Sequence, residues 1–88
     1  MKVEFNNSFL KDVKRLKNER VSNCVIKIIE EIEKANSTQD IEGLVKLKGG
    51  VNNFRIRVGD YRIGLKIEAN TVYFIRVLHR KDIYQYFP

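Results

Sequence analysis

The chain has 88 residues, a formal net charge of +6, and a single cysteine, Cys24. This length accommodates one small domain, residues 1–88, whose folding buries roughly 60% of the surface that the unfolded chain exposes. An internal disulfide is excluded, no cysteine–histidine cluster offers a zinc site, and no apolar run approaches the ~20 residues of a membrane span.

Lys2-Val3-Glu4-Phe5 alternates like a short strand and lacks the apolar core of a secretion signal, so a cytoplasmic protein with no membrane partner is expected. Asn6-Asn7-Ser8 then offers capping side chains, and Phe9, Val13, Leu16 and Arg20 recur at helical spacing. After a break near residues 18–20, Val21, Cys24, Val25, Ile28, Ile29 and Ile32 form a second helical stripe, with Lys27, Glu30, Glu31 and Glu33 outside it. The pair reads as an αα-hairpin, with Cys24 a core thiol. Asn36-Ser37-Thr38-Gln39-Asp40 ends the second helix by offering its backbone competing hydrogen bonds. Residues 41–51 read as a connector, packed rather than floppy because of Leu44, Leu47 and Gly49-Gly50.

Three strands follow, at about 53–58, 61–68 and 72–78, by their period-two alternation. Gly59-Asp60 fits a two-residue type II′ loop, because glycine accepts the positive φ that its first position needs. That loop pairs Val58 with Tyr61, Arg57 with Arg62, Arg55 with Gly64 and Asn53 with Lys66. Phe54, Ile56, Val58, Tyr61, Ile63, Leu65 and Ile67 then share the face that covers the helices, while Arg55, Arg57, Arg62 and Lys66 gather on the other. Like charges across a ladder repel, so this face calls for an anionic partner. For the third strand, a two-residue loop at Ala69-Asn70 would turn Arg76 into the core, which costs several kcal/mol for an unpaired charge. The expected register therefore uses a three-residue loop, 69–71, turning Tyr73, Ile75 and Val77 inward and adding Arg76 to the cationic face. Residues 80–87 read as a short turn or helix. The expected fold is α+β: an N-terminal strand, an αα-hairpin and a three-stranded antiparallel meander, with the helices on one face of a four-stranded sheet.

Charge is distributed unevenly along this plan. Residues 1–45 hold eight Lys/Arg and eight Asp/Glu, whereas residues 46–88 hold nine Lys/Arg against Asp60, Glu68 and Asp82. The excess points to a phosphate backbone or an acidic protein as partner. Beyond the third strand, Leu78-His79-Arg80-Lys81-Asp82-Ile83-Tyr84 brings the only histidine, an arginine and a tyrosine close to the cationic hairpin. RNA breaks when its 2′-oxygen attacks the adjacent phosphate, a reaction helped by cations for the phosphorane, a proton carrier and a surface for a splayed base. Arginine suits the first task, histidine the second and tyrosine the third, with no metal required. The plainer readings are a structural His79, core-sealing Tyr84 and Phe87, and solvated arginines that deter edge-to-edge aggregation.

Leu47-Lys48-Gly49, the 54–63 hairpin and Val77-Leu78-His79-Arg80-Lys81-Asp82-Ile83-Tyr84 together resemble the RelE/ParE superfamily of type II toxin–antitoxin toxins, over nearly the whole chain. The resemblance implies a RelE-like fold and, in the RelE branch, a metal-independent, ribosome-dependent mRNA endonuclease acting in the A site with no cofactor. Arg55 and Arg57 match the basic positions of the RelE hairpin, where the type member has lysines, Arg62 the arginine after the turn, Arg80 the arginine beyond the last strand, and Tyr84 the tyrosine that stacks on mRNA. His79 is the candidate for proton transfer, since arginine does not readily give up its proton. Lys46, Lys48, Lys66, Arg76 and Lys81 are expected to contact RNA or ribosome. Implied partners are a cognate antitoxin, the ribosome and mRNA, and operator DNA only through the antitoxin complex. A ParE-like inhibitor of DNA gyrase and a non-catalytic RNA- or protein-binding domain are the alternatives.

Overall fold

Alternating apolar residues between 53 and 79 supply the wall against which the helices fold. In the computed structural model, which describes residues 1–88, the order is β1 (Lys2–Phe5), α1 (Asn7–Arg15), α2 (Glu19–Lys34), a 3-10 turn (Thr38–Asp40), β2 (Leu44–Lys46), β3 (Asn53–Val58), β4 (Tyr61–Glu68), β5 (Thr71–His79) and α3 (Ile83–Tyr86). The strands form one sheet in the order β1-β5-β4-β3-β2. β1 runs parallel to β5, and the remaining neighbours are antiparallel.

The α+β class and the helix–strand order match the expectation, with five strands in place of four. The added strand is β2, inside the segment read as a connector, where Leu44, Val45 and Lys46 pair with Ile56, Arg55 and Phe54. Three residues are too few to establish a period. α2 starts at its cap, where Asn18 Oδ1 accepts from the Val21 amide at 3.2 Å. Its inner stripe is Val21, Val25 and Ile32, with Ile28 and Ile29 partly buried. Cys24, expected in the core, is exposed, because the stripe runs through position 25 and leaves 24 beyond its edge.

The β3–β4 hairpin has the expected register, from Val58↔Tyr61 to Asn53↔Lys66. Gly59 takes φ 58° in its loop. The third-strand register differs from the expected one. Glu68 pairs with Thr71 across a two-residue loop in which Ala69 and Asn70 both have positive φ, 46° and 64°, as a type I′ turn demands. Arg76 nonetheless avoids the core. A bulge places Leu65 opposite Phe74 but Gly64 opposite Arg76, leaving Ile75 as the extra residue. Val72, Phe74 and Val77 thus all face the helices, at 0%, 0% and 1% exposure, and Tyr73 and Ile75 do not join them.

Phe9 and Phe74, both buried, pack with the more exposed Phe5 in an aromatic cluster between α1 and the sheet, with ring centroids 5.2–5.8 Å apart. Beyond β1, α1 takes over the free edge of β5. The Asn6 amide donates to the Phe74 carbonyl, Ser8 Oγ donates to the Ile75 carbonyl at 2.6 Å, and Asp12 Oδ2 accepts from the Val77 amide at 3.1 Å. Side chains one helical turn apart thereby do the work of a missing strand partner.

Candidate RNA-contacting face

Strand alternation sorts the charged residues. Since Ile63 and Leu65 face the helices at 0% exposure, Arg62, Gly64 and Lys66 face the other way, and cross-strand pairing puts Arg57, Arg55 and Asn53 beside them. The hairpin end of this open face holds the densest charge. Arg62 Nη1 donates to the carbonyls of Gly59 and Tyr61, both at 2.9 Å, which folds its guanidinium back over the turn. Desolvation, then the positive charges of Arg57 and Arg55, with a smaller contribution from Arg80, lower its pKa, while Tyr84 opposes them. Arg55, Arg57, Arg80 and Tyr84 thus all lie within electrostatic reach of the Arg62 guanidinium. Arg80 is anchored by its amide to the Asp60 carbonyl at 2.7 Å, and its Nε lies 4.0 Å from Asp60 Oδ1. Tyr84 is 57% exposed, which leaves a ring free to stack on a base.

The middle of the open face is covered. Gly64, paired with Arg55 in the midst of this face, is buried, and a Cβ there would lie 2.6 Å from the Phe87 ring. α3 runs over this row, with Ile83 at 0% and Phe87 at 4% exposure, both outside the main core cluster. Of the expected core-sealing pair, Phe87 is buried and Tyr84 is not.

Other candidates lie apart from the cluster. His79 pairs with Tyr61 and packs edge-on against its ring at 5.5 Å, on the helix-facing side, where it lines a small cleft with Asp12, Arg15 and Leu16 of α1. Its Nδ1 accepts from the Lys81 amide at 3.1 Å, fixing the ring there. The sequence-based grouping of His79 with the arginines is therefore corrected: β5 alternation aims Leu78, not His79, at the open face. Lys46, opposite Phe54, also falls on the helix side. Lys66 remains on the open face but pairs with Glu68 at 3.4 Å. Lys48 and Lys81 are exposed in a loop and a turn. Arg76 is on the open face, as expected, but its charge is matched: Nε and Nη2 donate to Asp12 at 2.7 and 3.0 Å, and this hydrogen-bonded partner raises its pKa.

Asp12, 3% exposed, is the residue that the periodicity reading passed over. Its signal was present: position 12 falls within the stripe Phe9, Val13 and Leu16, where an acidic residue implies a buried cation opposite.

A family model described as the ParE toxin of type II toxin–antitoxin system, parDE, matches residues 3–84. Toxin RelE3 of Methanocaldococcus jannaschii is 46% identical over 89 aligned residues that cover 100% of both chains. The RelB–RelE antitoxin–toxin complex from Methanococcus jannaschii contains a chain similar at TM-score 0.81 and 43% identity, covering 96% of this chain and 98% of that one. A chain of the archaeal RelE–RelB complex from Pyrococcus horikoshii OT3 shares the fold at TM-score 0.71 and 16% identity, over 93% and 97% of the two chains. Matched by this family model over residues 3–84 and by a full-length relative at 46% identity, the chain belongs to the ParE toxin family of type II toxin–antitoxin systems, within the RelE/ParE superfamily.

Proposed function

We propose that this toxin is an mRNA endonuclease of the RelE branch, docking its open face in the ribosomal A site and cutting by attack of the 2′-oxygen. The observation that supports this most is the grouping of Arg55, Arg57 and Arg80 about Arg62 at the hairpin end, with the exposed Tyr84 ring also within its electrostatic reach. Arg55, Arg57, Arg62 and Arg80 hold the scissile phosphate and neutralise the phosphorane, each guanidinium offering a planar donor fork. Tyr84 stacks on the adjacent base. The 2′-oxygen bonds to phosphorus, the bond to the 5′-oxygen breaks, and the products are a 2′,3′-cyclic phosphate and a 5′-hydroxyl. His79 sits on the far side of the sheet, so the field of the arginines, rather than an imidazole, promotes loss of the 2′-hydroxyl proton to water, and water supplies the proton that the departing 5′-oxygen takes up.

A cognate antitoxin is the protein partner, a reading supported by the antitoxin-bound state of the RelE chains to which this one is similar. It covers or displaces part of the basic face, and only in that complex does the toxin reach operator DNA. Gyrase inhibition is the second reading, favoured by the ParE description of the matching family.

Translating a defined mRNA with and without the protein, and mapping its 5′ ends, separates the two. Cleavage confined to translating ribosomes, and reduced about 10²- to 10³-fold in Arg62→Ala, is the expected result. Intact mRNA together with gyrase-dependent DNA breaks would overturn it in favour of the ParE reading.

A further inference from the structure

α3 has four residues, far fewer than a helix needs to persist in water on its own, yet it carries the residue assigned to stack on mRNA. Its fixed points are Ile83 and Phe87, which are buried, and Tyr86, whose ring lies 5.1 Å from Arg76 Cζ. Arg76 is in turn held by Asp12, which accepts from its Nε and Nη2 while also accepting from the Val77 amide. A two-point carboxylate grip fixes the plane of a guanidinium as well as its place. That plane determines which surface Arg76 offers to the tyrosine ring. The path Asp12–Arg76–Tyr86 therefore links α1, on one side of the sheet edge, to α3 on the other.

We propose that Asp12 is a positioning residue, acting through Arg76 and the Tyr86 ring to hold α3, and with it Tyr84, beside the arginine cluster. The proposal rests on the cleavage reading for its consequence and on geometry for its mechanism. If Asp12 only completed the β5 edge, a neutral acceptor would suffice for the Val77 amide. The grip on Arg76 requires the carboxylate.

The test compares Asp12→Asn, Tyr86→Ala, Tyr86→Phe and the Asp12→Asn/Tyr86→Ala double variant in the full chain, by amide hydrogen exchange and single-turnover mRNA cleavage on ribosomes. Asp12→Asn and Tyr86→Ala are each expected to speed exchange of the Gln85 and Phe87 amides about fivefold, the worth of an exposed cation–π contact. Each is expected to slow cleavage about tenfold with ribosome affinity retained, as a displaced base platform should. The double variant should be no slower than either single one, and Tyr86→Phe, which keeps the ring, should match wild type. Unchanged exchange in α3, or losses that multiply in the double variant, would overturn the proposal. Should Asp12→Asn fail to fold, the Tyr86→Ala and Tyr86→Phe pair still decides it: equal behaviour of the two contradicts the ring contact. If wild type cuts no mRNA at all, the cleavage reading fails, and exchange alone then reports whether Asp12 grips α3.

Discussion

On the helix-facing side of β4, Ile63, Leu65 and Ile67 are 0%, 0% and 8% exposed, whereas their immediate neighbours Arg62 and Lys66 face the opposite side and are wholly or partly accessible. One side of the strand is organised by burial, and each apolar side chain there contributes roughly 1.5–3 kcal/mol when removed from water. The other side places Arg57 directly across from Arg62, with Arg55 one row away, an arrangement that costs stability. Its counter-charges are used elsewhere: Glu68 meets Lys66, and Asp12 meets Arg76. At the hairpin end Asp60 reaches Arg80 alone, so Arg55, Arg57 and Arg62 have no carboxylate partner there, and that is where an anionic ligand gains most.

Four substitutions sharpen or break this contrast. Phe74→Ala, on the helix side, should lower unfolding free energy by about 3–5 kcal/mol in urea titration; a loss under 1 kcal/mol would mean that the aromatic cluster is not the centre of the core. Gly64→Ala, on the open side, drives a methyl into the Phe87 ring and should cost about 1–3 kcal/mol, with α3 amides exchanging faster. Arg57→Ala should leave stability within about 0.5 kcal/mol, or raise it slightly, because it relieves Arg62. The same variant should weaken RNA binding and flatten its dependence on salt by about one phosphate contact. His79→Ala should leave the cleavage rate unchanged, and a large loss would return the proton-transfer role to the helix side.

The strength of each sequence signal explains what was legible. The β3–β4 register follows from one glycine and strict alternation, so Gly59-Asp60 fixes the hairpin pair by pair. The β4–β5 connection carries no such glycine. Ala69 and Asn70 adopt positive φ without one, and the bulge at Ile75 leaves no trace in the pattern except an apolar residue out of phase. The cost of burying an unpaired charge does keep Arg76 out of the core, but by a bulge in place of the expected longer loop, since either one changes the strand's phase. His79 has the inward parity of Val77 in either register, so the bulge does not move it. Proximity in sequence to Arg80 and Tyr84 had grouped them, and only the strand's phase separates them. Long-range pairs such as Asp12 with Arg76, 64 residues apart, have no local period at all; their trace is a charge on an apolar stripe.

The central claim is that RNA meets the arginine end of the open face. An NMR titration of the protein with an mRNA codon carrying a 2′-deoxy substitution at the scissile step, so that it binds without reacting, tests it directly. Shifts at the Arg55, Arg57, Arg62 and Arg80 side chains and the Tyr84 ring, with Tyr61, His79 and Arg15 unmoved, are the predicted result. Shifts centred on His79, Tyr61 and Arg15, with the four arginines silent, would contradict it.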